Sequence, residues 1–148
     1  MNDEATQRSL PGKVMWAGVG MVVGTAVAFA LVVAVELLSA VVHPFPEDFG
    51  GTQEEVCAHV ERYPTWVLAA VIPIWGFTAY VGTWTARRIG GIAAGLIVAL
   101  LLMASLIVNL SMLPYPIWFK AGTSIGCIVA IGLAMGRFAR RPADKAID

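Results

Sequence analysis

The chain has 148 residues, a formal net charge of zero and an apolar composition, with 58% hydrophobic and 14% charged residues. Soluble domains hold about 45–50% apolar and about 25% charged residues, so this composition excludes an ordinary soluble domain. The charge balance gives no basic surface for nucleic acid. The apolar residues form four long runs, which is typical of an all-α membrane protein. We therefore expect one membrane domain, 1–148, with the lipid bilayer as its first partner.

The first apolar run, residues 14–42, contains a single charged residue, Glu36. As a helix it is about 43 Å long, more than the roughly 30 Å hydrocarbon core of a bilayer. Residues 28–30 imitate a signal-peptide cleavage site, but the run continues well past them, and a signal peptide has an apolar core of only about 7–15 residues. The run predicts an uncleaved transmembrane helix, which ends before Pro44 and Pro46.

The next segment, 43–64, is the one sizeable polar loop of the chain, and it carries five acidic residues against a single Arg62. Within it, residues 52–63 have the pattern of a short amphipathic helix. Thr52 and Glu55 have the spacing of a capping box, in which each side chain pairs with the backbone amide of the other residue.

Three further spans are predicted at 65–85, 89–113 and 117–136, joined by very short connections. The first connection is expected at 86–88, and Pro73 predicts a kink in the second span. The predicted fold is a four-transmembrane-helix bundle with a short amphipathic helix in its outer loop.

The basic residues predict the orientation of this bundle. Eight of the ten lysines and arginines fall on one side of a four-span arrangement, and basic residues favour the cytoplasmic side. The tails 1–13 and 137–148 are therefore expected in the cytoplasm, with Pro11-Gly12 as a turn, and the acidic loop outside. The eight residues are Arg8, Lys13, Arg87, Arg88, Arg137, Arg140, Arg141 and Lys145.

Pairs of glycines four residues apart predict close helix packing. Lipid gives no hydrophobic drive for helix association, so small residues must let the backbones approach. The contacts are expected within the chain or between chains, in a homo-oligomer or a larger membrane-protein complex. The pairs are Gly20 and Gly24, Gly91 and Gly95, Gly122 and Gly126, and Gly132 and Gly136.

A small set of polar residues is expected near the outer ends of the spans: Glu36, Ser39, Asn109 and Lys120. A charge in the bilayer centre costs about 2.5–3.5 kcal/mol, so Glu36 must be paired, hydrated or protonated. One interpretation is a titrating or cation-binding group on a transport path. The other is a structural carboxyl group that neighbouring side chains hold in place and that fixes the register of the helices. The shallow depth of Glu36 in the membrane favours this second interpretation. We expect Lys120 to extend towards the headgroups and His43 to face water at the rim.

The two cysteines and the histidine between them predict no special chemistry. Cys57 lies in the loop and Cys127 lies deep in the last span, so no disulfide between them is expected. Cys57, His59 and the loop glutamates match no zinc spacing, so no metal and no cofactor are predicted. No catalytic motif is present, and an enzyme is not expected.

Three segments carry a family resemblance: VELLSAVVHPFP at 35–46, GTWTARRIGG at 82–91 and NLSMLPYPIWF at 109–119. They resemble a group of small uncharacterised bacterial proteins, which implies a four-span fold in the inner membrane. The chain is also similar, more weakly, to small multidrug transporters with four spans and a glutamate in the first helix. That likeness would imply proton-coupled export by a dimer, although Glu36 here lies near the outer end of its helix.

Two functions follow from these patterns. The first is a small integral membrane protein that acts through helix–helix contacts with itself, with another membrane protein or with lipid. The alternative is a small proton- or cation-coupled transporter or channel that uses Glu36.

Overall fold

The structure is a computed structural model that describes residues 10–136. This part of the chain is helical and contains no strand, and its elements are α1 (Leu10–Val42), α2 (Gln53–Glu61), α3 (Thr65–Met112) and α4 (Ile117–Gly136). Helices α1, α3 and α4 are long and apolar enough to cross a membrane, which indicates an integral membrane protein. Residues 1–9 and 137–148 of the predicted tails lie outside the described residues.

Helix α1 begins earlier than the sequence predicts. Pro11 and Gly12, expected as a turn in the tail, lie in the first turn of the helix. The expectation is wrong because proline fits there: its fixed φ is helical, and its missing amide would have no partner in a first turn. At the other end, the His43 amide donates to the Ser39 carbonyl at 2.8 Å, and Pro44 then stops the helix.

Helix α3 is not a straight rod. Leu68 and Leu110 belong to one buried apolar cluster, although a straight helix would hold them about 63 Å apart. The backbone departs from helical geometry at Gly91, where φ is 84° and ψ is −173°. We call 65–90 the first arm and 92–112 the second arm, and they run back along each other.

The position of this reversal corrects the expected connection at 86–88. Those residues are helical, and the chain turns at Gly91 instead. The φ and ψ of Gly91 lie in a region that only glycine occupies at low cost, whereas Arg87 and Arg88 are good helix formers. The backbone at Pro73, where a kink was expected, keeps helical φ and ψ.

Helix α1 packs against the first arm through backbone contact. A Cβ atom added to Gly24 would lie 2.6 Å from the Ala86 Cβ and 2.8 Å from the Gly82 carbonyl oxygen. One added to Gly20 would lie 2.5 Å from the Gly90 nitrogen. These glycines therefore let the two helices approach as closely as their backbones allow, as small residues do in membrane helix pairs.

The other predicted packing glycines have different surroundings. A Cβ at Gly95 would lie 2.8 Å from the Arg87 Cβ, and one at Gly122 would lie 2.9 Å from the Ile72 Cδ1. At Gly126 the nearest atom would be 3.6 Å away, an ordinary contact. Three positions have nothing within 4 Å of an added Cβ: Gly91, Gly132 and Gly136.

Helix α3 is central, because α1 and α4 each pack on it. The main apolar cluster joins the two arms to α4 near the end of the molecule that carries α2. It contains Leu68, Ala79, Leu106, Leu110, Phe119 and Cys127. A smaller cluster of Ala86, Ala94 and Val98 lies towards the Gly91 end. The space between α1 and the second arm is less completely filled, and the candidate site lies there.

Candidate functional site: a polar pocket beside an apolar cavity

A pocket of about 50 Å³ lies at the α2 end of the molecule, between α1, the two arms and the start of α4. We call it the polar pocket because six of its lining side chains carry oxygen: Glu36, Ser39, Tyr63, Asn109, Tyr115 and Thr123. The structure thus brings together three of the four residues of the predicted polar set. The fourth, Lys120, is half-buried on α4 and does not line this pocket.

Glu36 lies at the open side of the polar pocket, and its side chain is exposed on α1. Within residues 10–136, none of the hydrogen bonds or ion pairs involves this carboxylate. The carboxylate interacts electrostatically with Tyr115, which lies in the connection between α3 and α4. Burial, with smaller contributions from Glu36 and Tyr63, raises the pKa of Tyr115 to about 12. The phenol therefore stays neutral at any physiological pH.

Ser39 is held by Tyr63 rather than by Glu36. The Ser39 Oγ and the Tyr63 hydroxyl lie 2.6 Å apart and share a hydrogen bond. Tyr63 follows helix α2, so this bond attaches the polar loop to the last turn of α1. The sequence pattern gives no sign of this partner, because the two residues are 24 positions apart along the chain.

Thr123 supplies the most buried oxygen of the polar pocket. Its side chain is only 1% exposed, and its Oγ1 has no hydrogen-bond partner among the described residues. The neighbouring Ser124, by contrast, donates to the Lys120 carbonyl at 2.8 Å. An unpaired buried hydroxyl is costly, so Thr123 is available to a molecule or ion that enters the pocket.

A stack of aromatic rings covers the α2 end of the molecule. The rings of His43 and His59 are stacked with centroids 4.3 Å apart, and Phe45 stacks on His59 at the same distance. Tyr63 lies 4.7 Å from His43. We call these four residues the aromatic stack. His43 was expected to face water, but it is half-buried here because the chain leaving α1 folds over α2.

Burial sets the protonation behaviour of this stack. His59 is 6% exposed, and this burial, followed by the charge of His43, lowers the pKa of His59 below its ordinary value. One residue of the stack, Tyr63, also lines the polar pocket. Another, His59, lies on α2, whose N-terminus has the expected capping box. There the Thr52 amide donates to the Glu55 carboxylate at 2.9 Å, a bond that lowers the pKa of Glu55.

A second space, of about 310 Å³, lies deeper between α1 and the second arm. We call it the apolar cavity, since most of its walls are aliphatic or aromatic. Exposed Phe29, Leu101 and Ser105 stand at its edge, so it opens sideways between the helices. Three residues line both spaces: Trp75, Leu106 and Asn109. The polar pocket and the apolar cavity are therefore neighbours, with the Asn109 amide at their boundary.

The cysteines and acidic residues form no further centre in the described part of the chain. Cys57 and Cys127 are both free thiols. Residues 10–136 contain no group of three histidine, cysteine, aspartate or glutamate side chains placed to hold a metal ion. The chemistry available at the site is therefore that of one carboxylate, several neutral oxygens and an apolar chamber.

Comparison with known protein families, with curated proteins and with solved structures gives no match for this chain. The resemblances seen in the sequence therefore remain predictions.

Proposed function

We propose that the protein is a four-span bacterial inner-membrane protein that binds the apolar chain of an amphiphile from the bilayer. The four spans are α1, the first arm, the second arm and α4, and together they form a bundle. The first arm is about 39 Å long and the second about 32 Å, so each suffices to cross the hydrocarbon core. The distribution of basic residues supports cytoplasmic termini, with α2 as an amphipathic helix on the outer side.

The observation that carries this proposal is the apolar cavity next to the polar pocket. Its volume of about 310 Å³ lies at the lower end of the roughly 300–1,000 Å³ range of small-molecule sites. An amphiphile has the same division into an apolar and a polar part. Its chain fits the apolar cavity, and its polar group reaches the amide of Asn109 at the boundary.

The sideways opening fits a ligand that arrives through lipid. The edge residues Phe29, Leu101 and Ser105 are exposed on membrane-spanning segments, so a chain can enter without crossing water. Lipid offers no hydrophobic drive for this step, and selectivity must come from shape and dispersion contacts. The half-buried ring of Trp75 supplies a rigid wall for such contacts. Binding of this kind involves no chemical reaction, and we assign no enzymatic activity to the protein.

A second candidate is transport of protons or cations through Glu36. It is favoured by one observation, the position of this carboxylate at the open side of the polar pocket without a basic partner in residues 10–136. A role in self-association is a weaker candidate, and it would use the open face of α4 at Gly132 and Gly136.

Quenching of Trp75 by brominated acyl chains tests the amphiphile proposal. The protein is prepared in detergent with Trp75 as its single tryptophan and titrated with a brominated phospholipid. We expect saturable quenching at low lipid-to-protein ratios. The four substitutions that leave Trp75 alone are Trp16→Phe, Trp66→Phe, Trp84→Phe and Trp118→Phe.

A matched pair of variants assigns the quenching to the apolar cavity. Ser105→Phe places a ring at the edge of the cavity and is expected to reduce quenching several-fold. Ala104→Phe adds the same bulk at an exposed neighbour that does not line the cavity, and it should leave quenching unchanged. Equal quenching in all three proteins would mean that the lipid contacts Trp75 from the general surface, and the proposal would fail.

A further inference from the structure

We infer that the polar pocket is a binding site for a small monovalent cation of the size of Na⁺. This inference goes beyond amphiphile binding, since it concerns the polar pocket and not the apolar cavity. It deepens the second candidate function, cation transport through Glu36, by naming the ion and its ligands. It rests on the kind of atoms that line the pocket, on an unpaired buried hydroxyl, on the charge of the site and on its size.

The lining atoms are of the type that hard cations prefer. Glu36 offers carboxylate oxygens, Asn109 an amide oxygen and Thr123 a hydroxyl, and all three line the same pocket. The hydrogen-bonded pair of Ser39 and Tyr63 adds two more hydroxyl oxygens to the lining. Alkali and alkaline-earth cations are bound by oxygen ligands of these kinds, whereas softer metals require thiolates or imidazoles.

Thr123 is the independent sign that a ligand belongs in the pocket. Its hydroxyl oxygen is buried and unpartnered among residues 10–136, although its helix could have satisfied it, as it does for Ser124. Native structures pair nearly all buried polar groups, and the exceptions require a reason. A cation bound between Thr123 and Glu36 would complete the coordination of this hydroxyl.

The charge of the site selects a monovalent ion. Among the described residues that line the pocket, Glu36 is the one acidic side chain, and the other side-chain oxygens belong to hydroxyls and an amide. A single positive charge balances the carboxylate, whereas a divalent ion would leave an excess charge in a region of low dielectric. Lys120 does not take this role, because it neither lines the pocket nor forms an ion pair with Glu36 within the described residues.

The size of the pocket agrees with a small, partly dehydrated ion. Its volume of about 50 Å³ is several times the roughly 10–15 Å³ needed to admit one water molecule. An ion and one or two waters therefore fit, with Glu36 at the open side as the first group that an arriving cation meets.

Equilibrium binding of ²²Na⁺ to the full-length protein in detergent at pH 8 tests the inference, with N-methylglucamine keeping the ionic strength constant. We expect saturable binding that Glu36→Gln weakens at least tenfold. Thr123→Val keeps the shape of the side chain and removes the hydroxyl, and it should weaken binding several-fold. Ser124→Ala is the matched control, because its hydroxyl bonds to its own helix, and it should bind as the wild type does.

Two results would overturn the inference. The first is the absence of saturable Na⁺ binding in a protein whose Trp75 is still quenched by brominated lipid; this result leaves the amphiphile proposal standing. The second is Na⁺ binding that survives both Glu36→Gln and Thr123→Val, which would place the ion elsewhere. Conversely, loss of lipid quenching with Na⁺ binding intact would remove the amphiphile proposal alone.

Discussion

The hydroxyl of Tyr63 lies 2.6 Å from the Ser39 Oγ, and this hydrogen bond joins the polar loop to the last turn of α1. Both residues line the polar pocket, and Tyr63 also belongs to the aromatic stack. The pocket is therefore built by contacts between the loop and a membrane-spanning helix. Substitutions in the loop are therefore expected to affect the surroundings of Glu36 through this contact.

The first prediction concerns this bond. Tyr63→Phe removes one partner and should lower the free energy of unfolding by about 0.5–1.5 kcal/mol, the usual net value of a hydrogen bond. Reversible unfolding in mixed micelles measures the change. Once Ser39 is replaced by alanine, Tyr63→Phe should cost markedly less. Equal costs in the two backgrounds would show that the hydroxyls do not stabilise each other.

The second prediction concerns pH and the aromatic stack. Burial lowers the pKa of His59, so the packed loop favours the neutral imidazole. The stabilisation is therefore complete above the ordinary histidine pKa near 6.5, and it is lost as the pH falls through the lower pKa of His59 in the folded protein. Hydrogen exchange of α2 amides should accelerate, after correction for intrinsic rates, between pH 7 and pH 5.

His59→Phe supplies the control for this experiment. Phenylalanine keeps the ring that stacks between His43 and Phe45 but cannot be protonated. The variant should retain slow exchange at pH 5. If its corrected exchange accelerates as much as that of the wild type, another group controls the opening of the loop.

The third prediction concerns the contact between α1 and the first arm. Gly24→Ala forces a methyl group to within 2.8 Å of the Gly82 carbonyl oxygen, so the backbones must separate. Overpacking of this kind costs about 1–3 kcal/mol. Gly18→Ala is the control, because a methyl group there meets nothing within 4 Å, and its effect should be neutral or slightly stabilising. A Gly24→Ala protein as stable as Gly18→Ala would mean that the helices do not touch at this point.

Some of this arrangement could be predicted from the sequence. The long apolar runs indicate membrane-spanning helices, and the spacing of Thr52 and Glu55 specifies the start of α2 because a capping box is a local interaction. The helical period and the distances from the span ends place Glu36, Asn109 and Lys120 at similar heights, and the structure puts Glu36 and Asn109, but not Lys120, in one pocket. These features depend on residues close together in the chain or on the fixed rise of a helix.

Other features depend on contacts between distant residues and could not be predicted. Polarity marks Arg87 and Arg88 as a membrane boundary, but the helix ends only where Gly91 allows a non-helical φ. The stacking of His43 on His59 depends on how the loop folds over itself. The hydropathy of the sequence contains no information about this folding. The sequence shows Thr123 as a polar residue within an apolar span, but its lack of a partner becomes visible only with its neighbours in place.

The four-span proposal requires that the two arms of α3 cross the membrane separately, which would put the polar loop and the Gly91 reversal on opposite sides. Cysteine accessibility tests it most directly. Asp48→Cys in the loop and Ile92→Cys beside the reversal are introduced singly, in a protein that carries Cys57→Ser and Cys127→Ala. An impermeant maleimide is then added to intact cells. We predict that position 48 is labelled at once and position 92 only after the membrane is permeabilised. Labelling of both positions in intact cells, or of position 92 alone, would contradict this account.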